Sequence, residues 1–281
     1  MNHALHSKKV NALARPLRVT LLAFLVLCLM SGCGPSYKID KKNNEVIRET
    51  WDEGRGSVRT VIAGADAATF EALKLPGPED FTRDKNHVYL HGILIPGAHP
   101  ESFRRFNIPG EVHVPGGADF YYYRDSERVF FYPLSLGAAG FIAMLPDSDP
   151  ESFRTITDGW SRDRIRVYIF DKGFVPRDID SFEPMERCWS RDSKSYYWGS
   201  REVVGADRST FHISEQQPWF ASDRNHLFWN GWMIDGCDPQ TFHITSDSSG
   251  HDDHFKYRFQ ELQEMNTDFY FQRVKVEKQP L

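Results

Sequence analysis

The strongest constraint on the fold is a self-similarity that runs through most of the chain. Five aspartates, Asp84, Asp125, Asp163, Asp192 and Asp223, share one local pattern. An aromatic stands three positions before each: Phe81, Tyr122, Trp160, Trp189 and Phe220. Four and five positions after come Val88-Tyr89, Val129-Phe130, Val167-Tyr168, Tyr196-Tyr197 and Leu227-Phe228. In four units an apolar residue follows at +11 (Ile95, Phe174, Val203, Ile234) and a phenylalanine at +19 (Phe103, Phe182, Phe211, Phe242). The second unit closes at Phe153, so it carries about nine extra residues, which fall in 136–146. A partial unit precedes the five: Ile62, Gly64, Asp66, Thr69 and Phe70 match the second half, and Trp51 fills the anchor position. Units this small cannot bury a core alone, so the pattern predicts an array in which each unit packs on its neighbours.

Each unit reads as strand, turn, strand. Asp accepts hydrogen bonds from its own turn, and Asn86 or Asn225 tolerates a left-handed backbone. A β-branched and aromatic strand such as 87–90 follows. Gly92 or Gly231 permits a second turn, and a third short strand ends at Gly97, Gly205 or Gly236. Asp149-Pro150 and Asp238-Pro239 then read as the cap and first residue of a helical turn. The expected fold is mainly β, an array of about 29-residue repeats, each two or three short antiparallel strands plus a short helical turn. The repeat domain spans 45–245, with five full units and one partial N-terminal unit. Phe255, Tyr257 and Phe259, with Phe269 and Phe271, alternate in a C-terminal β cap over 246–281.

The motifs Asp84-Lys85-Asn86-His87-Val88-Tyr89 and Asp223-Arg224-Asn225-His226-Leu227-Phe228 carry a resemblance, as do 95–103 and Gly236-Cys237-Asp238-Pro239. With these the chain resembles the DKNYY family of bacterial proteins over most of 60–245. The units at 125, 163 and 192 lack the Asn. The resemblance implies the repeat; it implies no activity and supplies no catalytic residues.

The N-terminus has a different character. Lys8, Lys9, Arg15 and Arg18 precede an apolar run at 19–30, and no acid occurs there. Twelve apolar residues are too few for a spanning helix, which needs about 20. A basic stretch, a short apolar core and small residues make a secretory signal. Met30-Ser31-Gly32-Cys33 resembles a bacterial lipobox, with cleavage between Gly32 and Cys33 and lipidation of Cys33. Two or three acyl chains, at about 0.8 kcal/mol per methylene, anchor a chain stably. Gly34 in place of Asp after the cysteine implies, by the same resemblance, outer-membrane sorting. The expected organisation is a signal at 1–32, a lipidated tether at 33–44 and a domain held on the periplasmic side.

Composition bears on partners. The 281 residues carry a net charge of −5, and loss of 1–32 leaves 30 basic against 39 acidic residues, or −9. This charge argues against nucleic acid and favours a basic protein partner. Cys188 and Cys237 remain after lipidation. Paired, they close a loop of about 50 residues worth about 3–4 kcal/mol; unpaired, they are buried thiols.

Candidate sites have plain structural readings beside them. The anchor aspartates have the chemistry of Ca²⁺ ligands or acids, and equally of turn formers. Arg83, Arg124, Arg162 and Arg191 form either a basic ladder for an anion or a set of pairs with neighbouring acids. His87 and His91 lie about 13 Å apart on a strand, too far for one ion. His251, Asp252, Asp253 and His254 are a weak metal candidate; otherwise they belong to a solvated loop. Trp198, Trp229 and Trp232 stand outside the shared pattern and are candidates for partner contact, with core packing as the alternative. No phosphate loop, dinucleotide fingerprint or nucleophile motif occurs, so neither an enzyme nor a cofactor is expected. The expected function is an outer-membrane-anchored lipoprotein whose repeats bind a protein, of toxin-immunity type in one specific form. A glycan or peptidoglycan module is the alternative, and an envelope enzyme the third reading.

Overall fold

The computed structural model describes residues 35–75, 80–106, 120–133, 142–157, 159–262 and 273–281. The expected signal, with Gly32 and Cys33, lies outside the described residues, as do Phe269, Phe271 and most of the 136–146 insertion. Two compact units divide the chain, Met1–Pro100 and Glu101–Leu281.

The first unit begins with a three-stranded antiparallel sheet, β1 (Ser36–Asp40), β2 (Glu45–Asp52) and β3 (Gly56–Val61). Its second sheet has four strands in chain order: β4 (Glu71–Ala72), β5 (Phe81–Arg83), β6 (Val88–Leu90) and β7 (Ile93–Leu94). The second unit holds five more four-stranded sheets among the described residues. Their strands are β8 (Arg104–Arg105), β9 (Phe120–Arg124), β10 (Val129–Pro133), β11 (Ala143–Leu145); β12 (Arg154–Thr157), β13 (Trp160–Arg162), β14 (Val167–Ile169), β15 (Lys172–Phe174); and β16 (Glu183–Pro184), β17 (Trp189–Arg191), β18 (Tyr196–Trp198), β19 (Arg201–Glu202). The last two sheets are β20 (His212–Ile213), β21 (Phe220–Ser222), β22 (Leu227–Trp229), β23 (Trp232–Ile234), then β24 (His243–Ser246), β25 (Ser249–His251), β26 (Phe255–Leu262), β27 (Arg273–Pro280). Each sheet is a meander, so all its pairings are local hairpins.

The protein is mainly β, with two corrections to the expected repeat. Each full unit has four strands, because the residues after the closing phenylalanine pair as well, for example Glu71↔Arg83 and Arg104↔Arg124. The expected helical turns are tight turns; the one helical segment among the described residues is the 3-10 turn Ile179–Ser181. The Asp-initiated turns close with single bonds such as Phe153 N–H to Asp149 O (3.0 Å) and Phe211 N–H to Asp207 O (2.9 Å). The chain then passes directly into a strand, and one helical hydrogen bond does not offset the cost of nucleation.

Left-handed residues fall elsewhere than at Asn86 and Asn225. Among them are consecutive pairs in the turns between the third and fourth strands, at His91-Gly92 (φ 53° and 79°) and Asn230-Gly231 (φ 47° and 68°). Two positive φ values in succession define a turn whose twist matches the flanking strands, and Asn-Gly is its best sequence. At Gly231 an added Cβ would also overlap Cβ of Trp198. Gly231→Ala is expected to cost about 2 kcal/mol, from backbone strain and overpacking together. A thermal melt unchanged from wild type would refute this.

Packing alternates with strand period. On the third strand, the residue at anchor +5 faces the preceding sheet and those at +4 and +6 face the following one. Thus Tyr168 clusters with Tyr122, Val129 and Phe131, and Tyr197 with Trp160, Val167 and Ile169. Phe228 clusters with Tyr196 and Trp198, and Tyr257 with Leu227 and Trp229. In the first unit Tyr89 packs on Val46 and Ile62. Within each compact unit the core is therefore made of thin aromatic layers between successive sheets.

Candidate binding surface

Four of the five anchor aspartates, Asp84, Asp163, Asp192 and Asp223, tie their own turn to the preceding one, and Asp125 holds the N–H groups of Glu127 and Arg128 in its own turn. Asp84 is buried, and its Oδ1 accepts the N–H groups of Asn86 (2.7 Å) and His87 (2.8 Å). Its Oδ2 accepts Tyr89 Oη–H (2.9 Å) and the N–H of Asp66 (2.8 Å), the first residue of the preceding turn. Asp163 repeats this with Ile165, Arg166, Tyr168 and Asp149. Asp192 does so with Lys194, Ser195, Tyr197 and Asp178. Asp223 holds Asn225, His226 and Asp207. Burial pushes these carboxyls up, but the donors outweigh it and hold Asp84, Asp192 and Asp223 below the ordinary aspartate value.

The residues around each anchor complete the junction. The turn Asp accepts a hydroxyl three residues on, as in Thr69 to Asp66 (2.7 Å) and Ser152 to Asp149 (2.6 Å). That hydroxyl in turn accepts the N–H after the anchor, from Lys85 (3.0 Å) and Arg164 (3.1 Å). Hydrogen bonds from Ser152 and Arg164 lower Asp149 to about 2. The arginines before the anchors reach forward: Arg83 to Pro100 O, Arg124 to Pro150 O and Arg162 to Ile179 O. Arg191 pairs with Glu183 instead (2.9 Å). The arginine row is thus a set of clamps with assigned partners.

Two further anchors escaped the sequence pattern. Asp252, in the expected metal loop, accepts the N–H groups of His254 (2.9 Å) and Phe255 (2.8 Å) at Oδ1, and Tyr257 Oη–H (2.7 Å) and Asp238 N–H (3.1 Å) at Oδ2. Burial raises it, yet these four donors hold it far below the ordinary range. Asp252, Asp253 and His254 form a turn of the repeat, and His251 ends β25. Among the described residues no cluster of three or more ligating side chains occurs. The spacing from Asp223 to Asp252 equals that from Asp163 to Asp192, which is the signal that was available. At the other end Asp40, not Trp51, forms the anchor turn, accepting Lys42 N–H (3.0 Å) and Asn43 N–H (3.1 Å). Ser36–Asp40 is a strand, so part of the expected 33–44 tether lies inside a sheet.

The tryptophan candidates divide. Trp198 packs edge-on to Trp189 at 4.9 Å, and Trp229 stacks on Phe259 at 5.4 Å; both are buried at the +6 position. They are core residues rather than contact surfaces. Trp232 is half-buried beneath the Arg201 guanidinium, 3.8 Å from its ring centre. Arg201 also donates to Gly231 O (3.0 Å) and to Asn230 O, and burial lowers it to about 10. Cys188 and Cys237 are free, in layers around different sheets, with burial pushing them up to about 11 and about 12. Thiols held protonated in this way are poor nucleophiles.

The open surface lies on the last sheet. At +4 and +6 its third strand carries Lys256 and Arg258, where the unit before it has Leu227 and Trp229. Both side chains are exposed, so this face is polar, as in a capping unit of a repeat array. An open cleft of about 460 Å³ crosses this face, lined by Thr245, Ser249, His251, Lys256, Arg258 and Glu277 among others. Thr245 Oγ1 and Ser249 Oγ lie 2.8 Å apart, and the His243 and His251 rings 5.3 Å apart. The face offers hydroxyl, imidazole, cationic and carboxylate groups on a hydrogen-bonded scaffold.

Stacked four-stranded meanders joined by Asp-centred turns define a β-repeat protein. The match to the family model described as the DKNYY family covers residues 54–231, more than half of the chain, and the protein belongs to that family. No curated protein and no solved structure matches it.

Proposed function

We propose that this protein is a lipid-anchored envelope lipoprotein, held at the outer membrane through Cys33, whose repeat domain binds another protein. The observation that carries the reading is the contrast between the repeated polar groups and the end face. The carboxylates of Asp84, Asp163, Asp192 and Asp223 and the guanidinium groups of Arg83, Arg124 and Arg162 are engaged in hydrogen bonds of the turns and junctions, which favours a structural role for them. The end face, by contrast, presents an open cleft of mixed polar groups. The net charge of −9 expected after loss of 1–32 favours approach of a basic partner, of which a secreted toxin is one form. Burial of Trp198 and Trp229 removes two of the three tryptophans expected to stack on a glycan, which supports the protein reading over it.

A photoreactive residue at Thr245 in the full-length protein, activated in cells, is expected to give one discrete protein adduct. Glu277→Lys, which replaces the carboxylate of the cleft by a cation, is expected to weaken it strongly at unchanged thermal stability. Absence of a protein adduct, or capture of cell-wall glycan alone, would count against the reading.

A further inference from the structure

The first sheet fixes how close the domain sits to its anchor. β1 begins at Ser36, so only Gly34 and Pro35 separate it from Cys33, a reach of about 11 Å when fully extended. In the antiparallel pairing Ser36 lies opposite Glu49, and β2 continues past that point through Trp51 and Asp52. The tip of the β2–β3 hairpin therefore lies at the end of the sheet where the chain enters. Trp51 is two residues past the partner of Ser36, about 7 Å along the strand and on the same face. It is 68% exposed, the most exposed tryptophan among the described residues. Its ring borders Gly56, and the tip is closed by the Asp52 carboxylate, which accepts the N–H groups of Gly54 and Arg55 (both 2.9 Å). Behind it on the same face, Glu49 pairs with Lys38 (2.8 Å) and Arg59 (2.6 Å).

Among the described residues the hydrophobic cluster of the first unit, built on Val46, Ile62, Phe70 and Tyr89, does not include Trp51, so core packing there does not account for the indole. An indole has an apolar body and one N–H donor, which suits it to the headgroup layer of a bilayer. From these observations we infer that the β2–β3 hairpin is a second membrane contact, with Trp51 seated in the interfacial layer of the bilayer that holds Cys33. This rests on the anchoring reading above. The contact orients the domain: a flexible lipid chain fixes distance alone, whereas a lipid chain and a hairpin tip together fix tilt.

The test uses full-length, lipid-bearing protein purified from membranes. Wild type and Trp51→Phe are reconstituted into vesicles of phosphatidylethanolamine and phosphatidylglycerol, with or without bromine on the acyl chains near the headgroup. Wild type is expected to lose tryptophan emission in the brominated vesicles, and Trp51→Phe to lose less, the difference being Trp51 itself. Fractionation of Cys33→Ser reports on the anchor separately. Release of Cys33→Ser combined with equal quenching of wild type and Trp51→Phe leaves the anchor standing and overturns the hairpin contact. Retention of Cys33→Ser on membranes overturns the anchor, and the contact inferred from it falls too.

Discussion

Asp192→Ala is expected to destabilise the protein by about 4 kcal/mol or more. The side chain is buried and accepts four hydrogen bonds, from Lys194 N–H, Ser195 N–H, Asp178 N–H and Tyr197 Oη–H, all at 2.6–2.8 Å. Alanine leaves these donors facing an apolar void. A buried donor without a partner costs about 1–3 kcal/mol, and a hydrogen bond to a charged group is among the stronger kinds. Two of the donors shape the hairpin turn, and Asp178 N–H belongs to the preceding turn, so one deletion loosens both a unit and its junction. Tyr197→Phe removes one of these donors and also the acceptor of Arg177 N–H (2.8 Å), and is expected to cost about 2 kcal/mol. Urea unfolding followed by tryptophan fluorescence measures both. Equal losses in the two variants would show that the carboxylate does not organise the junction.

Acid is expected to dismantle the array through the same groups. Asp84, Asp192, Asp223 and Asp252 all have folded-state values below the ordinary 3.8. A carboxyl lowered by folding contributes stability that is complete above its unfolded value. That stability is lost as pH falls through the folded one. Stability should therefore be level at neutral pH and drop steeply from about pH 4 toward about pH 2, with several anchors protonating over the same range. Protonation also turns an acceptor oxygen into a donor that faces N–H groups. Urea midpoints measured across this range check the effect, and a flat profile down to about pH 2 would falsify it.

The repeat was legible because its signals are dense where neighbouring units press from both sides. Tyr89, Val167, Tyr168 and Leu227 are apolar or aromatic because each has a sheet to meet. The same physics hid the ends. Ser249 and Lys256 replace the aromatic at −3 and the apolar residue at +4, so Asp252 did not register as an anchor. At the start, the long β2–β3 hairpin stretches the distance from Asp40 to Ile62, and Trp51 filled the anchor position by default. Trp198 and Trp229 looked irregular only because +6 had not been recognised as a core position, although Leu90, Phe131 and Ile169 occupy it in other units. The strand after each closing phenylalanine escaped notice because it is short and polar, as in Arg104–Arg105 and Glu183–Pro184.

The alternation of faces on the third strand gives the array a direction. In the second unit the sheets β12–β15, β16–β19 and β20–β23 each have one face that receives the sheet before and another that receives the sheet after, and the two are not interchangeable. A gene duplication that inserts one more unit between Asp192 and Asp223 supplies both faces and meets compatible neighbours on each side. The same duplication placed after Asp252 meets Lys256 and Arg258, which offer an incoming apolar face nothing to bury. Lineages of such proteins should therefore vary in interior copy number while keeping their first and last sheets. Loss of the last sheet would uncover Leu227 and Trp229 and turn a chain of defined length into one that recruits further copies of itself.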